Sequence, residues 1–249
     1  MDALLNGLPV AVCAGMDFEA RIAEGKGIAV IYGQNRCKYR DDLHRQAQSG
    51  VSGFLSFGVA GGLAPELKPG DVVVAHSVIT AIGTSKPSAE WSAILRRLLP
   101  NAHHLPVYGA ETPVTSVSDK SALWVQTGAG AVDMESGPVA EIAQHYRLPF
   151  AVLRVILDPA DRALPQSALA GARQDGTTDV KAVVRSLARR PQDLRGLMRL
   201  AEDNRRANDA LLSSRQALGP LFGFGFLGAG KFTLDMEQMD VDSGTLASH

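Results

Sequence analysis

The chain has 249 residues, 45% of them hydrophobic and 20% charged, with a formal net charge of −1. That is the composition of an ordinary globular chain, long enough for one large α/β domain. It lacks the basic field a nucleic-acid binder needs, and its 6% aromatic content disfavours a surface for stacking single-stranded bases.

The two cysteines, Cys13 and Cys37, have no metal-ligand spacing and suit a reducing compartment. No apolar run approaches the length of a membrane span. The first apolar segment, GLPVAVCAG, is short and has no basic stretch before it, so it reads as a strand and not as a signal peptide. A cytoplasmic protein is expected.

In chain order, PVAVCAG (9–15), GIAVIYG (27–33), GFLSFGVAGG (53–62), GDVVVAHSVI (70–79) and PFAVLRVILD (149–158) read as strands covered on both faces, because they are continuous apolar runs closed by glycine or by a charge. Helical patterns lie between them at 18–25, 40–50, 88–100 and 138–147. The segment YGQNRCKYR (32–40) reads as a loop carrying Arg36, Lys38 and Arg40. From 180 onward the chain is helical, with Pro191 suited to a first turn. This alternation predicts an α/β sheet with right-handed crossovers. No fixed-period repeat and no linker divides it. One domain is expected over 1–227, with 228–249 a poorly ordered tail.

Two stretches carry candidate chemistry. GVAGGLAPELKPGDVVVA (58–75) follows a strand with glycines that would let a ligand approach main-chain atoms, Gly61 among them. GAVDMESGPVAEIA (130–143) sets Asp133 and Glu135 either side of Met134, where an apolar segment meets a helix. Carboxylates there cap a helix or accept a ligand's hydroxyl groups. The six histidines do not cluster and show no metal-ligand spacing.

These two motifs, followed by PFAVLRVILDPAD (149–161) and preceded by AGMDFEARIA (14–23), resemble in order and spacing the nucleoside phosphorylase/nucleosidase superfamily. GMDFEARIA and the ending ALGPLFGFGFL look most like the hopanoid-associated phosphorylases, linked to adenine release from adenosylhopane. The resemblance implies a three-layer phosphorylase-type α/β fold, a central mixed twisted sheet flanked by helices. It also implies cleavage of a purine N-glycosidic bond, with the methylthioadenosine/S-adenosylhomocysteine-type nucleosidase as the alternative and a catalytically silent nucleoside-binding protein as a third reading.

By the same resemblance Glu135 binds the ribose 2′- and 3′-hydroxyls, Met134 lies against the sugar, and Asp158 meets purine N7. Glu19 matches the glutamate that positions and deprotonates water in the hydrolytic branch. Val59 stands where a phosphate-binding Ser or Thr often occurs, Ser56 or Phe57 where a phosphorylase arginine is expected, and Leu157 where Ser often precedes the aspartate. Asp133 replaces a common glutamate and is expected as a cap. Arg36 is the candidate for holding the nucleophile, which is water or inorganic phosphate. No metal or cofactor is implied. A homodimer is expected, as is peripheral contact of the apolar segment 219–227 with a membrane that holds a lipid-linked nucleoside.

Overall fold

The computed structural model describes residues 7–171, 173 and 175–227. Its elements in order are β1 (Val10–Ala14), α1 (Asp17–Ala23), β2 (Ile28–Tyr32), α2 (Arg36–Ser49), β3 (Gly53–Gly62), β4 (Val72–Val74), β5 (Val78–Thr80), β6 (Gly83–Ser85) and α3 (Ala89–Leu98). There follow β7 (Val107–Gly109), α4 (Val117–Thr127), β8 (Ala131–Asp133), α5 (Ser136–His145), β9 (Phe150–Asp158), α6 (Gln166–Leu169), α7 (Val180–Arg189) and α8 (Leu194–Leu218).

The nine strands form one mixed sheet in the order β2-β1-β3-β8-β7-β5-β6, with β9 paired to β3 and β4 paired to β9. Alternate residues of the central strands enter two different cores. Ala11, Cys13, Phe150, Val152 and Ile156 pack with Leu43 of α2 and with Val139, Ile142 and Ala143 of α5. Val10, Val12, Ala151, Leu153 and Val155 pack with Ala23, Trp91, Leu95, Ala207 and Leu211, from α1, α3 and α8. A strand's side chains alternate between faces, so apolar residues at every position mean that both faces are covered. The result is the expected three layers, helices on either side of a mixed sheet.

Helix starts follow their caps. Asn35 accepts from the backbone N–H of Lys38 at 3.1 Å, Ser88 from Trp91 at 3.3 Å and Ser116 from Asp119 at 3.0 Å. Arg36 therefore opens a helix and does not sit on a loop, because the Asn35 cap starts the helix four residues before the expected helical pattern at 40–50. The run 70–79 is two strands. β4 pairs antiparallel with β9, and β5 pairs parallel with β7. The three residues between them carry the chain from one partner to the other.

The segment 219–227 is core and not an exposed apolar face. Phe222 is fully buried, its ring edge-on to Phe57 at 5.1 Å and under the Arg215 guanidinium at 4.4 Å. Its carbonyl accepts from Trp91 Nε1 at 2.9 Å, and Phe224 stacks edge-on to Trp91. Leu221 and Leu227 pack on the same cluster, leaving only Phe226 of the five large apolar residues in 219–227 exposed. The tail expected at 228–249 lies outside the described residues. Among the described residues, no helix is long and apolar enough to cross a membrane.

Candidate active site

The site lies where β3 changes partners. β1 pairs with β3 only as far as Ser56, and β8 takes up the same strand antiparallel from Gly61. Between them Val59 has a backbone N–H and C=O with no strand beside them. Buried backbone groups must find partners, and here side chains supply them. Val59 N–H donates to Glu19 Oε1 at 2.7 Å, and its carbonyl accepts from Arg154 Nη1 at 3.4 Å. A gap of this kind at the carboxyl end of central strands is where open α/β sheets gather ligands.

Glu19 sits on the first turn of α1 and is buried. Its other oxygen accepts from the N–H groups of Gly15 and Met16, both at 2.8 Å. The Met16 bond is the return half of a capping box. Residue 58 must be glycine: a Cβ there would lie 2.5–2.8 Å from the Glu19 carboxylate. Three main-chain donors fill three of the roughly four acceptor positions of a carboxylate, leaving one. Burial raises the Glu19 carboxyl, opposed by Arg154 and by those three N–H groups.

Arg154 is the residue that sequence reasoning passed over. It lies mid-strand in β9 and is completely buried. Its Nε meets Asp133 at 2.5 Å, its Nη1 lies 3.4 Å from Glu135, and its Nη2 donates to Ser56 Oγ. Asp133 also accepts from the backbone N–H of Ser136 at 3.2 Å and from its hydroxyl, so the expected cap is present and doubles as an arginine partner.

Glu135 lies against Gly15, where a Cβ would be 2.6 Å from its Oε1, and its side chain keeps 14% of its surface exposed. Burial pushes its carboxyl up to about 7 against the pull of Arg154, with Asp133 and Glu19 adding to the rise. Three carboxylates thus share one guanidinium. Surplus negative charge in a buried site suits a partner that becomes positive.

The remaining candidates fall on either side. Glu135 and Met134 border a narrow cleft with Gln34, Arg36, Tyr39 and Pro138. Arg36 is committed there: Nη1 donates to the carbonyls of Ala110 and Glu111 at 3.2 and 2.9 Å, and Nη2 pairs with the Glu111 carboxylate at 2.5 Å. Arg40 pairs with Glu141, and Lys38 is exposed.

Asp158 closes β9 opposite Gly61, past a bulge in the pairing. Both its oxygens come within 3.5 Å of where a Gly61 Cβ would stand. It borders a different cleft, about 250 Å³, with Pro159, Arg162, Leu164, Leu200 and Asp203. It does not join the Arg154 cluster directly. It is paired instead with Lys120 of α4, a residue that no sequence pattern singled out. Among the described residues, no group of three or more His, Cys, Asp or Glu converges to hold a metal ion.

Solved structures share this architecture at low identity. The 5′-methylthioadenosine/S-adenosylhomocysteine nucleosidase of Helicobacter pylori is 19% identical, with a TM-score of 0.60 over 85% of this chain and 96% of that one. A protein of Francisella philomiragia described as a putative nucleosidase of the same type is 18% identical, with a TM-score of 0.57 over 87% and 99%. A futalosine hydrolase mutant of Helicobacter pylori is 19% identical, with a TM-score of 0.54 over 61% and 88%. The family model described as the phosphorylase superfamily matches residues 5–196. That span holds every strand of the sheet and all of Glu19, Lys120, Glu135, Arg154 and Asp158, and on it the chain belongs to the phosphorylase superfamily.

Proposed function

We propose that the protein hydrolyses the N-glycosidic bond of purine nucleosides, with water as the attacking group. Membership of the superfamily makes it an enzyme acting on N-glycosyl bonds. One observation carries the choice of water. The donors here that a phosphate could use are engaged by protein acceptors: Val59 N–H by Glu19, Arg36 by Glu111 and Ala110, Arg154 by Asp133 and Glu135. Three carboxylates beside them would repel a phosphate dianion.

In this reading Glu135 accepts both ribose hydroxyls, as an acceptor-only group can. The surplus negative charge stabilises the sugar as it becomes oxocarbenium-like. Glu19 spends its remaining acceptor position on the attacking water. Asp158 meets the base at N7, because a purine anion is a poor leaving group without a proton or hydrogen bond there. Met134 forms an adaptable apolar wall for the sugar. The Glu19 and Asp158 positions attach to β3 at Gly58 and Gly61, three residues apart. At roughly 3.3 Å per residue that spacing is about 10 Å.

The resemblance to hopanoid-associated phosphorylases supports adenosine with a 5′-hopane chain as the substrate and adenine as the released base. The fold shared with nucleosidases named for 5′-methylthioadenosine supports that compound as the second reading. The enzyme is incubated with each nucleoside, the lipid-linked one in detergent, and free adenine is followed by chromatography. Higher kcat/KM on the lipid-linked nucleoside is the expected result. The reverse order selects the second reading. Adenine from neither overturns both.

A further inference from the structure

Helix α7 is well formed yet buries none of its 10 residues. Asp179 caps it, accepting from the backbone N–H of Ala182 at 3.0 Å. One side packs on α6, where a Cβ on Gly171 would overlap Val183. The other side is bare. Val180, Val184 and Ala188 form one row along it, and Lys181, Arg185 and Arg189 form the next, each at helical i, i+4 spacing. Val180 and Val184 are 66% and 59% exposed. Helix α8 begins with the same pairing: Leu194 and Met198, 49% and 66% exposed, run beside exposed Arg195 and Arg199.

Residues 180–200 hold six of the chain's 25 Lys and Arg and one of its 26 acids, a net +5 against −6 for the rest of the chain. That one acid, Asp193, is used internally: it accepts from the backbone N–H and the hydroxyl of Ser167 at 3.0 and 2.8 Å. Among the described residues, no carboxylate forms a salt bridge with any of the six cations.

We propose that α7 and the first turns of α8 form a docking surface for a bilayer rich in anionic, phosphate-bearing lipids, on which the helices lie without crossing it. An interfacial helix sinks its apolar row to the acyl boundary while Lys and Arg reach back to the headgroups. A soluble polyanion would answer the basic rows and leave the apolar ones in water. A second copy of this chain, packed about a twofold axis, would set basic row against basic row. An anionic bilayer answers both rows at once, with phosphates over an apolar layer. Segment 219–227 packs in the core and is no part of this surface.

The surface adjoins the site. Gly196, Arg199 and Leu200 of α8 line the cleft that Asp158 borders. The Gly176 carbonyl, in the turn before α7, accepts from the Asp17 N–H at 3.1 Å, close in the chain to Glu19. A docked molecule therefore holds that cleft beside the bilayer. For a lipid-linked nucleoside, a point that rests on the function proposed above, the lipid chain can then stay in the membrane while the glycosidic bond is cleaved.

The test is co-sedimentation of the full chain with vesicles of phosphatidylcholine alone or with about 30% phosphatidylglycerol, at low salt and at about 0.5 M salt. Wild type is expected to bind the anionic vesicles about tenfold or more above the neutral ones and to lose most of that binding at high salt. Each Lys or Arg near an anionic leaflet strengthens binding about fivefold, so Arg185→Gln with Arg189→Gln should weaken it about 25-fold. Val184→Ser with Met198→Ser should weaken it about tenfold and keep its salt dependence. All four side chains are exposed, so melting temperatures should stay within about 2 °C of wild type.

No binding by wild type, equal binding to neutral vesicles, or binding that neither pair of substitutions weakens would overturn the proposal. So would self-association in place of vesicle binding, abolished by Val184→Ser with Met198→Ser, because it would give the face to a second copy. A wild type that cleaves a soluble purine nucleoside but ignores vesicles defeats this inference alone. A wild type that docks on anionic vesicles but cleaves no nucleoside upholds the docking surface and defeats the functional reading.

Discussion

Replacing Arg154 with methionine tests whether the site is held together by charge compensation. The side chain is fully enclosed and touches Asp133, Glu135, Ser56 and the Val59 carbonyl, and its field also reaches Glu19. Methionine fills much of the volume but leaves three buried carboxylates with no cation. Removing one partner of a buried ion pair costs about 3–5 kcal/mol. For a chain of this size that is a fall in melting temperature of roughly 6–20 °C.

The sign of the pH dependence is the sharper readout. Burial already holds Glu19 and Glu135 above the ordinary carboxylate range, Glu135 at about 7, and Arg154 opposes that rise. Without the guanidinium these values move higher still. A carboxyl whose folded pKa is raised penalises the fold at high pH and ceases to do so once it is protonated. The deficit of Arg154→Met should therefore grow as the pH rises through about 7, be full only above the still higher values of the variant, and shrink as the pH falls. Melting curves of both proteins across that range decide it. A deficit equal at acid and alkaline pH would mean that Arg154 contributes packing and not charge.

The other predictions concern the substrate end and the chain terminus. Glu135→Gln should keep the fold and lose about 2–4 kcal/mol of transition-state stabilisation, a fall in kcat/KM of roughly 30-fold to a thousandfold; near-wild-type values remove Glu135 from the mechanism. Because Glu135 must be ionised to accept both ribose hydroxyls, kcat/KM should fall as the pH drops through about 7, and Asp133→Asn should move that limb to lower pH by removing a neighbouring negative charge. A limb that stays in place would assign it to another group. Phe222→Ala should destabilise the protein by about 3–5 kcal/mol, because the ring fills a closed space between Phe57 and Arg215; a melting temperature left unchanged would restore the view of 219–227 as a detachable surface segment.

Much of the frame was legible because it rests on periodicity. β1, β2, β3 and β9 are apolar at nearly every position, and their capped helices alternate with them, which is enough for a three-layer sheet. Motif order made Glu19, Glu135 and Asp158 candidates, and the structure buries Glu19 and Asp158 and sets Glu135 beside Arg154. Arg154 was visible as the single charge inside FAVLRVIL, but a strand pattern does not say that a lone arginine on a strand covered on both faces must have buried carboxylates waiting for it. Lys120 carried no signal. It pairs with a residue 38 positions away, and no sequence spacing points to that partner. β7 and β8 have three residues each, too few to show a period. The apolar density of 219–227 was plain, but composition does not choose between a membrane and a core. Trp91, with its ring against Phe224 and its N–H on the Phe222 carbonyl, makes that choice.

The most direct measurement of the central claim follows the fate of the sugar. The enzyme cleaves a purine nucleoside in isotope-labelled water, with and without inorganic phosphate, and the sugar product is identified by mass spectrometry. Hydrolysis assisted by Glu19 predicts free ribose carrying the label at its anomeric carbon, no sugar phosphate, and a rate indifferent to phosphate. A rate that requires phosphate, with unlabelled ribose 1-phosphate as the product, would contradict the account, because it would demand an anion site where the structure places three carboxylates around one arginine.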